Sequence, residues 1–391
     1  MGSQSAAETT TASDRPADSV LSRGLDEVEG YDARARSAVV VGAGIVGASI
    51  AWRLTRSGWQ VTLVEAFAPG HARAASGGPS RMIRMASGDD DEVAESSVRA
   101  VALWDRIGAE IGEPLFVRSG FVYFGDAANA AWYRASIASH EALGVPYDLL
   151  DADGAKSFYP SLDTEDVEYF LYEPEGGFVL ARSAVQRLVA DARSRGMRLV
   201  DGIAGRQRDA VVVDGDRLEA DAVVWAVGGW TRGAFPELVQ GVWERHDLLT
   251  FGVDHRWRSP GIPAWTDAAS DFSGMGDVDG AGFRLGGWFH EPADIDGPTW
   301  IASELQQHAA RELISHRFPA LAQAPLTGAI GCQSTAITAV LVEPLTVVGG
   351  ARIWKHPDEE RVWIVGDGSE SLFKHGPDIG WQVEMLLSRF A

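Results

Sequence analysis

Apolar residues begin abruptly near residue 38 and follow a readable rhythm from there. Positions 38–41 are Ala-Val-Val-Val, an unbroken apolar run that predicts a strand buried on both faces. A glycine-rich turn follows, and the spacing then predicts a helix over 45–57 and a second strand over 60–65. Strand, helix and strand in that order make a βαβ unit with parallel strands. Helical periodicity returns over 92–111. Residues 115–125 are strand-like with a glycine in the middle. Val185, Leu188, Val189 and Ala192 lie on one face of a helix over 183–195, which leads into a strand near 197–200. Residues 222–227 predict a buried strand. The stretch 236–325 is richer in Trp, Pro and Gly, with strand candidates at 247–253 and 281–289 and a helix over 303–316, and reads as mainly antiparallel. A strand over 361–366 and a helix over 378–390 close the chain. Residues 1–36 are small and polar without periodicity, which predicts disorder.

Composition narrows the classes. A chain of 391 residues with 46% hydrophobic content can bury one or two cores. With 55 acidic against 34 basic residues, its net charge of −21 argues against nucleic-acid or anionic-membrane partners. The single cysteine, Cys332, excludes an intrachain disulfide and a cysteine-built zinc cage, and no metal site is expected. No apolar run is long enough to span a membrane and no basic-then-apolar leader is visible, so the expectation is cytoplasmic.

The chemistry starts at the glycine turn. Gly42, Gly44 and Gly47 form G-x-G-x-x-G directly after a strand and at the opening of a helix. The first glycine permits the tight turn, the second lets the backbone approach a pyrophosphate, and the third lets helix and strand pack closely. The helix N-terminus offers free N–H groups and the positive end of its dipole. Glu65 ends the second strand, where an acid accepts hydrogen bonds from an adenosine ribose. This is a Rossmann-type unit, and by itself it does not separate FAD from NAD.

Several further segments are more specific. Ala66 and Phe67 follow the acid, then Pro69-Gly70-His71 and Ser80-Arg81-Met82-Ile83-Arg84. EPEGGFVLARSAVQRLVADARSRG (173–196), VVWAVGGWTRG (223–233), GAIGCQSTAIT (328–338) and VWIVGDGSESLFKHGPDIG (362–380) come later, in order. Together they resemble FAD-dependent amine oxidases of the D-amino-acid-oxidase superfamily, of the monomeric sarcosine oxidase and N-methyltryptophan oxidase type. The middle region, 236–325, matches poorly. The resemblance implies an α/β protein, α+β overall: a discontinuous FAD-binding domain (37–115, 170–235, 326–391) and a substrate domain with a mixed or antiparallel sheet (116–169, 236–325).

It also implies a flavin contact set. Beyond Gly42, Gly44, Gly47 and Glu65 this set includes Ile45, Val46, Ala66, Ser80, Arg81, Met82, Ala204, Gly228 and Trp230. From the C-terminal pieces it adds Cys332, Gly366, Leu372, Phe373 and Lys374. Arg84 and Lys374 match the pair that grips the substrate carboxylate, a task suited to a bidentate guanidinium and an ammonium; the plain alternative is that both are surface or structural charges. Cys332 stands where some relatives bond the flavin covalently, although Ser334 replaces an aromatic in that piece. Covalent and non-covalent FAD both remain open.

The pattern departs in three places. Arg284 stands where the family has a lysine that assists oxygen reduction, and keeps the positive charge without an easily lost proton. His290 is the candidate for a displaced family histidine. Glu370 and Leu372 replace small residues in the loop before Lys374, which predicts a reshaped pocket. The implied reaction is oxidation of a C–N bond in a small, carboxylate-bearing, N-substituted amino acid, with oxygen as acceptor. A dehydrogenase with another acceptor and a non-catalytic flavin-binding subunit stay as alternatives. The acidic run Asp89-Asp90-Asp91-Glu92 reads as complementing a helix dipole.

Overall fold

The computed structural model of the chain describes residues 36–287, 291–297, 301–366 and 370–390. Apart from Arg36, the segment expected to be disordered lies outside them.

The apolar run has no polar face, so it belongs at the centre of a sheet. Ser37–Val41 is flanked in parallel by Gln60–Glu65 and by Ala222–Trp225. Arg198–Asp201 and Val362–Val365 extend this sheet in parallel on either side, and Thr346–Val348 with Ala351–Lys355 adds an antiparallel edge. Alternation then assigns the two faces. Val40 packs with helices Ile45–Arg56, Ala181–Ser194 and Gly376–Phe390 through Ile50, Val185 and Val383. Val39 and Val41 pack instead with Val211, Val213 and Phe235, the first two from a three-stranded meander.

A second sheet has nine strands among the described residues. Its spine is the long antiparallel pair Val239–Phe251 and Leu326–Val340. Helix Glu304–Arg317 packs with it around Trp257, Trp265, Phe283 and Phe318. Trp257 meets Phe283 edge-on at 5.4 Å, the arrangement that aromatic quadrupoles favour.

Pairing cuts across the expected division of the chain. Residues 170–173 and 326–340, expected in the dinucleotide-binding part, pair within the second sheet. The strand at 326–340 is rich in small and polar residues, and its burial does not alternate cleanly. Period-two reasoning therefore had little to detect. The glycine inside 115–125 also divides more than expected. Gly120, at φ +77°, separates Phe116–Arg118 from Phe121–Gly125, and the two strands join different sheets. Phe116–Arg118 and Arg81–Ile83 both pair with Gly177–Val179 in a small three-stranded sheet.

Candidate active site

The turn after Ser37–Val41 is shaped by its glycines. Gly42 has φ +97°, and a Cβ there would lie 2.5 Å from the Ala226 carbonyl oxygen. A Cβ on Gly47 would lie 1.9 Å from the carbonyl oxygen of Gly42, so only glycine lets the helix pack this close. Gly44 differs: its backbone is extended, and a Cβ would meet only Ser76 Oγ, at 3.5 Å. The fold does not demand glycine at position 44, and its missing side chain leaves room for a ligand to approach the backbone. Glu65 accepts from the Ala43 N–H at 2.6 Å and the Phe67 N–H at 2.9 Å, which fixes its carboxylate beside the turn. Ile45 N–H donates to Ser76 Oγ at 2.9 Å.

A cavity of about 610 Å³ opens along this turn, within the range of cofactor sites. Among the expected cofactor positions, all but Gly47, Ser80, Arg81, Met82, Cys332 and Lys374 line it. Gly47 contributes by packing beneath the turn. Sequence reasoning missed Ser76, Trp243, Asp296 and Gln333, which also line the cavity. Gln333 adjoins Cys332 and could have been included on that ground. Trp243 arrives through the long strand pair, where its Nε1–H donates to the Gly229 carbonyl at 3.0 Å, and nothing local announces this. A cavity lined by the N-terminus of helix Ile45–Arg56 and by the anchored Glu65 fits FAD.

Beside this cavity the second sheet and the Ser80–Arg84 segment meet. Arg284 is buried; its guanidinium donates to the Ser80 carbonyl at 2.6 Å and to Met275 Sδ at 3.0 Å. Arg81 donates to the same carbonyl at 2.9 Å and lies 3.9 Å from Cys332 Sγ. Burial, and then the neighbouring Arg81, push the Arg284 guanidinium down to about 9. Two cations converge on one carbonyl, and a site so arranged favours arriving negative charge.

Arg84 and Lys374, 290 positions apart, come together. Lys374 Nζ donates to the Arg84 carbonyl at 2.9 Å. The Arg84 guanidinium turns back to the Ala86 carbonyl at 2.9 Å and lies 5.8 Å from the centre of the Tyr123 ring. Lys374 is buried, and burial with the adjacent Arg84 charge lowers its ammonium from 10.5 to about 7.

The segment carrying Lys374 is held from behind by groups that sequence reasoning missed. Trp104 Nε1–H donates to the Lys374 carbonyl at 2.9 Å. Ser96 Oγ lies 2.9 Å from His375 Nδ1 and donates to Asp378 at 2.7 Å, and Arg99 also pairs with Asp378 at 3.0 Å. Ser96, Arg99 and Trp104 sit on one helix, where the sequence reads as ordinary amphipathic surface.

Asp90 caps that helix by accepting from the Val93 N–H at 3.1 Å, and Asp91 and Glu92 occupy its first turn. Glu92 also accepts from the Gly349 N–H at 2.7 Å. His290 and residues 367–369 lie outside the described residues, and Leu372 lines the cavity. Among the described residues no helix is long and apolar enough to cross a membrane.

A family model described as FAD dependent oxidoreductase matches residues 37–383. N-methyl-L-tryptophan oxidase of Salmonella arizonae is 30% identical over 237 residues, which is 58% of this chain and 63% of that protein. The enzyme of the same name from Shigella boydii is 31% identical over 209 residues, 51% of this chain and 55% of that protein. The matched region thus spans about 63% or less of these relatives' own length. Among solved structures, L-proline dehydrogenase from P. horikoshii superposes with a TM-score of 0.78 at 18% identity, covering 90% of this chain and 93% of that one. Glycine oxidase from Geobacillus kaustophilus gives 0.73 at 19% identity, covering 91% and 96%. At such identities the two structures share the fold. The glycine turn, the anchored Glu65 and a family match over nearly the whole described chain lead to one conclusion: this protein belongs to the DAO family of FAD-dependent oxidoreductases.

Proposed function

We propose that the protein oxidises the C–N bond of a small amino acid whose nitrogen carries a substituent, and that oxygen is the electron acceptor. One observation carries this reading: Lys374 Nζ lies on the Arg84 carbonyl, which puts a buried ammonium next to a guanidinium beside the dinucleotide cavity. An ammonium and a guanidinium side by side suit a substrate carboxylate. When bound, FAD would supply a two-electron acceptor for the hydride equivalent lost from the carbon beside nitrogen and would pass those two electrons to dioxygen, giving hydrogen peroxide, while the imine product hydrolyses in water. The chain's part is positioning and electrostatics. Arg84 and Lys374 hold the carboxylate and fix which C–H bond is presented, while Arg284 and Arg81 stabilise negative charge that arrives during electron transfer.

The test is an anaerobic visible spectrum of the flavoprotein, challenged with N-methyl-L-tryptophan, sarcosine and other N-substituted amino acids, then with air. Bleaching followed by rapid recovery is expected. A second reading, a dehydrogenase with a non-oxygen acceptor, rests on Arg284, a bulkier guanidinium pinned to the Ser80 carbonyl where the family has a lysine. It predicts bleaching with slow recovery in air and fast reduction of a dye. If no amino acid bleaches the flavin while dithionite does, the amine-oxidising assignment fails.

A pH dependence follows from Lys374. The site binds a carboxylate through the ammonium form. Below about pH 7 that form is already present in the empty site. As pH rises through this value a proton must be taken up on binding, and affinity falls by up to about tenfold per unit. Methylthioacetate, a carboxylate without a titrating amine, isolates the effect. Its Kd, read from the change in the flavin spectrum, should be flat below pH 6.5 and rise above about pH 7. A flat profile to pH 9 would remove Lys374 from the grip.

Cys332 provides a separate check. We infer a covalent link between its sulfur and the flavin, on the strength of the matching piece and of the adjoining Gln333, which lines the cavity. Acid precipitation should leave the yellow colour with the wild-type pellet and release it from Cys332→Ala. Release from the wild type would show non-covalent binding.

A further inference from the structure

Glu173 ends the strand Tyr169–Glu173 and is fully buried, at 0% exposure. A buried carboxylate is costly unless each oxygen is satisfied. Here three donors converge on it. Met85 N–H donates to Oε2 at 3.0 Å and Ala86 N–H to Oε1 at 2.6 Å. His140 Nε2, from helix Ala130–Leu143, lies 2.8 Å from the same Oε1; since a carboxylate only accepts, this nitrogen carries the proton. His140 is itself buried, with the Tyr147 ring edge-on at 5.9 Å.

The two peptide N–H groups that Glu173 holds are those that directly follow Arg84. The strand Arg81–Ile83 ends here and the chain turns. The same turn offers the Arg84 carbonyl to Lys374 and folds the Arg84 guanidinium onto the Ala86 carbonyl. Glu173 touches neither cation in this arrangement. It secures the backbone from which one of them projects and on which the other rests.

We propose that Glu173, oriented by His140, is a positioning residue that fixes the 84–86 turn and so aims Arg84 and Lys374 at one carboxylate. The inference rests on the reading of those two side chains as the substrate grip. It carries an electrostatic consequence. The charged groups around Lys374 are Arg84, Glu173 and Asp90, with His375 as its neighbour. Burial and adjacent cations hold His375 well below the usual imidazole range, so it contributes no charge near neutrality. Arg84 opposes protonation of Lys374, whereas Glu173 and Asp90 favour it. Loss of the Glu173 charge therefore moves the point at which Lys374 loses its proton to lower pH.

The experiment compares purified holoenzymes: wild type, Glu173→Gln, His140→Gln and His140→Leu. The probes are methylthioacetate and its neutral isostere methylthioacetamide, with Kd measured across pH 5.5 to 9 from the flavin spectrum. Glu173→Gln leaves an amide facing two N–H donors. It should weaken methylthioacetate binding at least tenfold at low pH and shift the pH at which affinity falls to a lower value. His140→Gln keeps a donor and the Glu173 charge, so its pH profile should stay with the wild type. His140→Leu removes the donor and should weaken binding several-fold.

A folded Glu173→Gln protein with unchanged Kd and unchanged pH profile would overturn the proposal. So would failure of both Glu173→Gln and His140→Leu to fold, which would assign the pair a purely structural role. The grip reading fails separately: it is lost if wild type binds the amide as tightly as the carboxylate. If wild type discriminates between them and Glu173→Gln behaves identically, only the positioning role falls.

Discussion

Arg84→Ala is expected to lose about 2–4 kcal/mol of carboxylate binding, or roughly 30- to 1000-fold, while retaining its flavin. The guanidinium is held by a backbone carbonyl and lies against an aromatic face, so its donors are kept in place. Truncation leaves the substrate carboxylate with the ammonium alone in a buried setting. That setting is why the loss should exceed what an exposed ion pair would give.

The paired change Lys374→Met separates function from stability. The ammonium is buried against a carbonyl and next to another cation. In the folded protein it holds its proton less firmly than when unfolded, so between about pH 7 and 10.5 the unfolded chain binds more protons. The lysine's cost to folding is therefore full below about pH 7 and is relieved as pH rises through that window. Lys374→Met should therefore melt at a higher temperature than wild type at pH 7 and yet bind methylthioacetate far more weakly. A fall in melting temperature would mean that the lysine holds the Arg84 segment structurally.

Gly44→Val is expected to fold yet bind FAD on the order of a hundredfold less tightly, a loss of about 2.7 kcal/mol. Its backbone is extended and a Cβ there makes ordinary contact with Ser76 Oγ at 3.5 Å, so the protein itself tolerates a side chain. The branches would occupy the mouth of the cavity at the helix N-terminus, where a pyrophosphate must approach. Gly47→Ala offers the contrast. Its Cβ would overlap the Gly42 carbonyl oxygen at 1.9 Å, and the strand and helix would have to move apart. It should accumulate as unstable protein whatever the flavin supply. Circular dichroism of the apoproteins with flavin titration checks both. A yellow Gly44→Val protein with wild-type affinity would place the pyrophosphate elsewhere.

The comparison of sequence and structure divides along chain separation. The βαβ cradle was legible because every part of it is local. An unbroken apolar run must be a central strand, and a glycine with positive φ must begin the turn. The acid that anchors the turn lies at the end of the next strand and bonds back to Ala43. The helices over 91–111 and 181–194 were legible for the same reason, since amphipathic period is a local property. The strand at 326–340 was not. Its partner, Val239–Phe251, lies about eighty residues earlier, and its many small residues carry no alternation.

The site divides in the same way. The residues alone announce a dinucleotide turn and the apolar face of each regular element, and the resemblance points to Arg84, Arg284 and Lys374 as the residues of the proposed site. Folding brings Lys374 onto the Arg84 carbonyl, puts Arg284 and Arg81 on the one Ser80 carbonyl, and sets Glu173 and His140 behind the turn. The physical reason is that most of these contacts end on peptide groups. Every residue has a carbonyl and nearly every residue an N–H, so no residue type marks which of them a buried side chain will find.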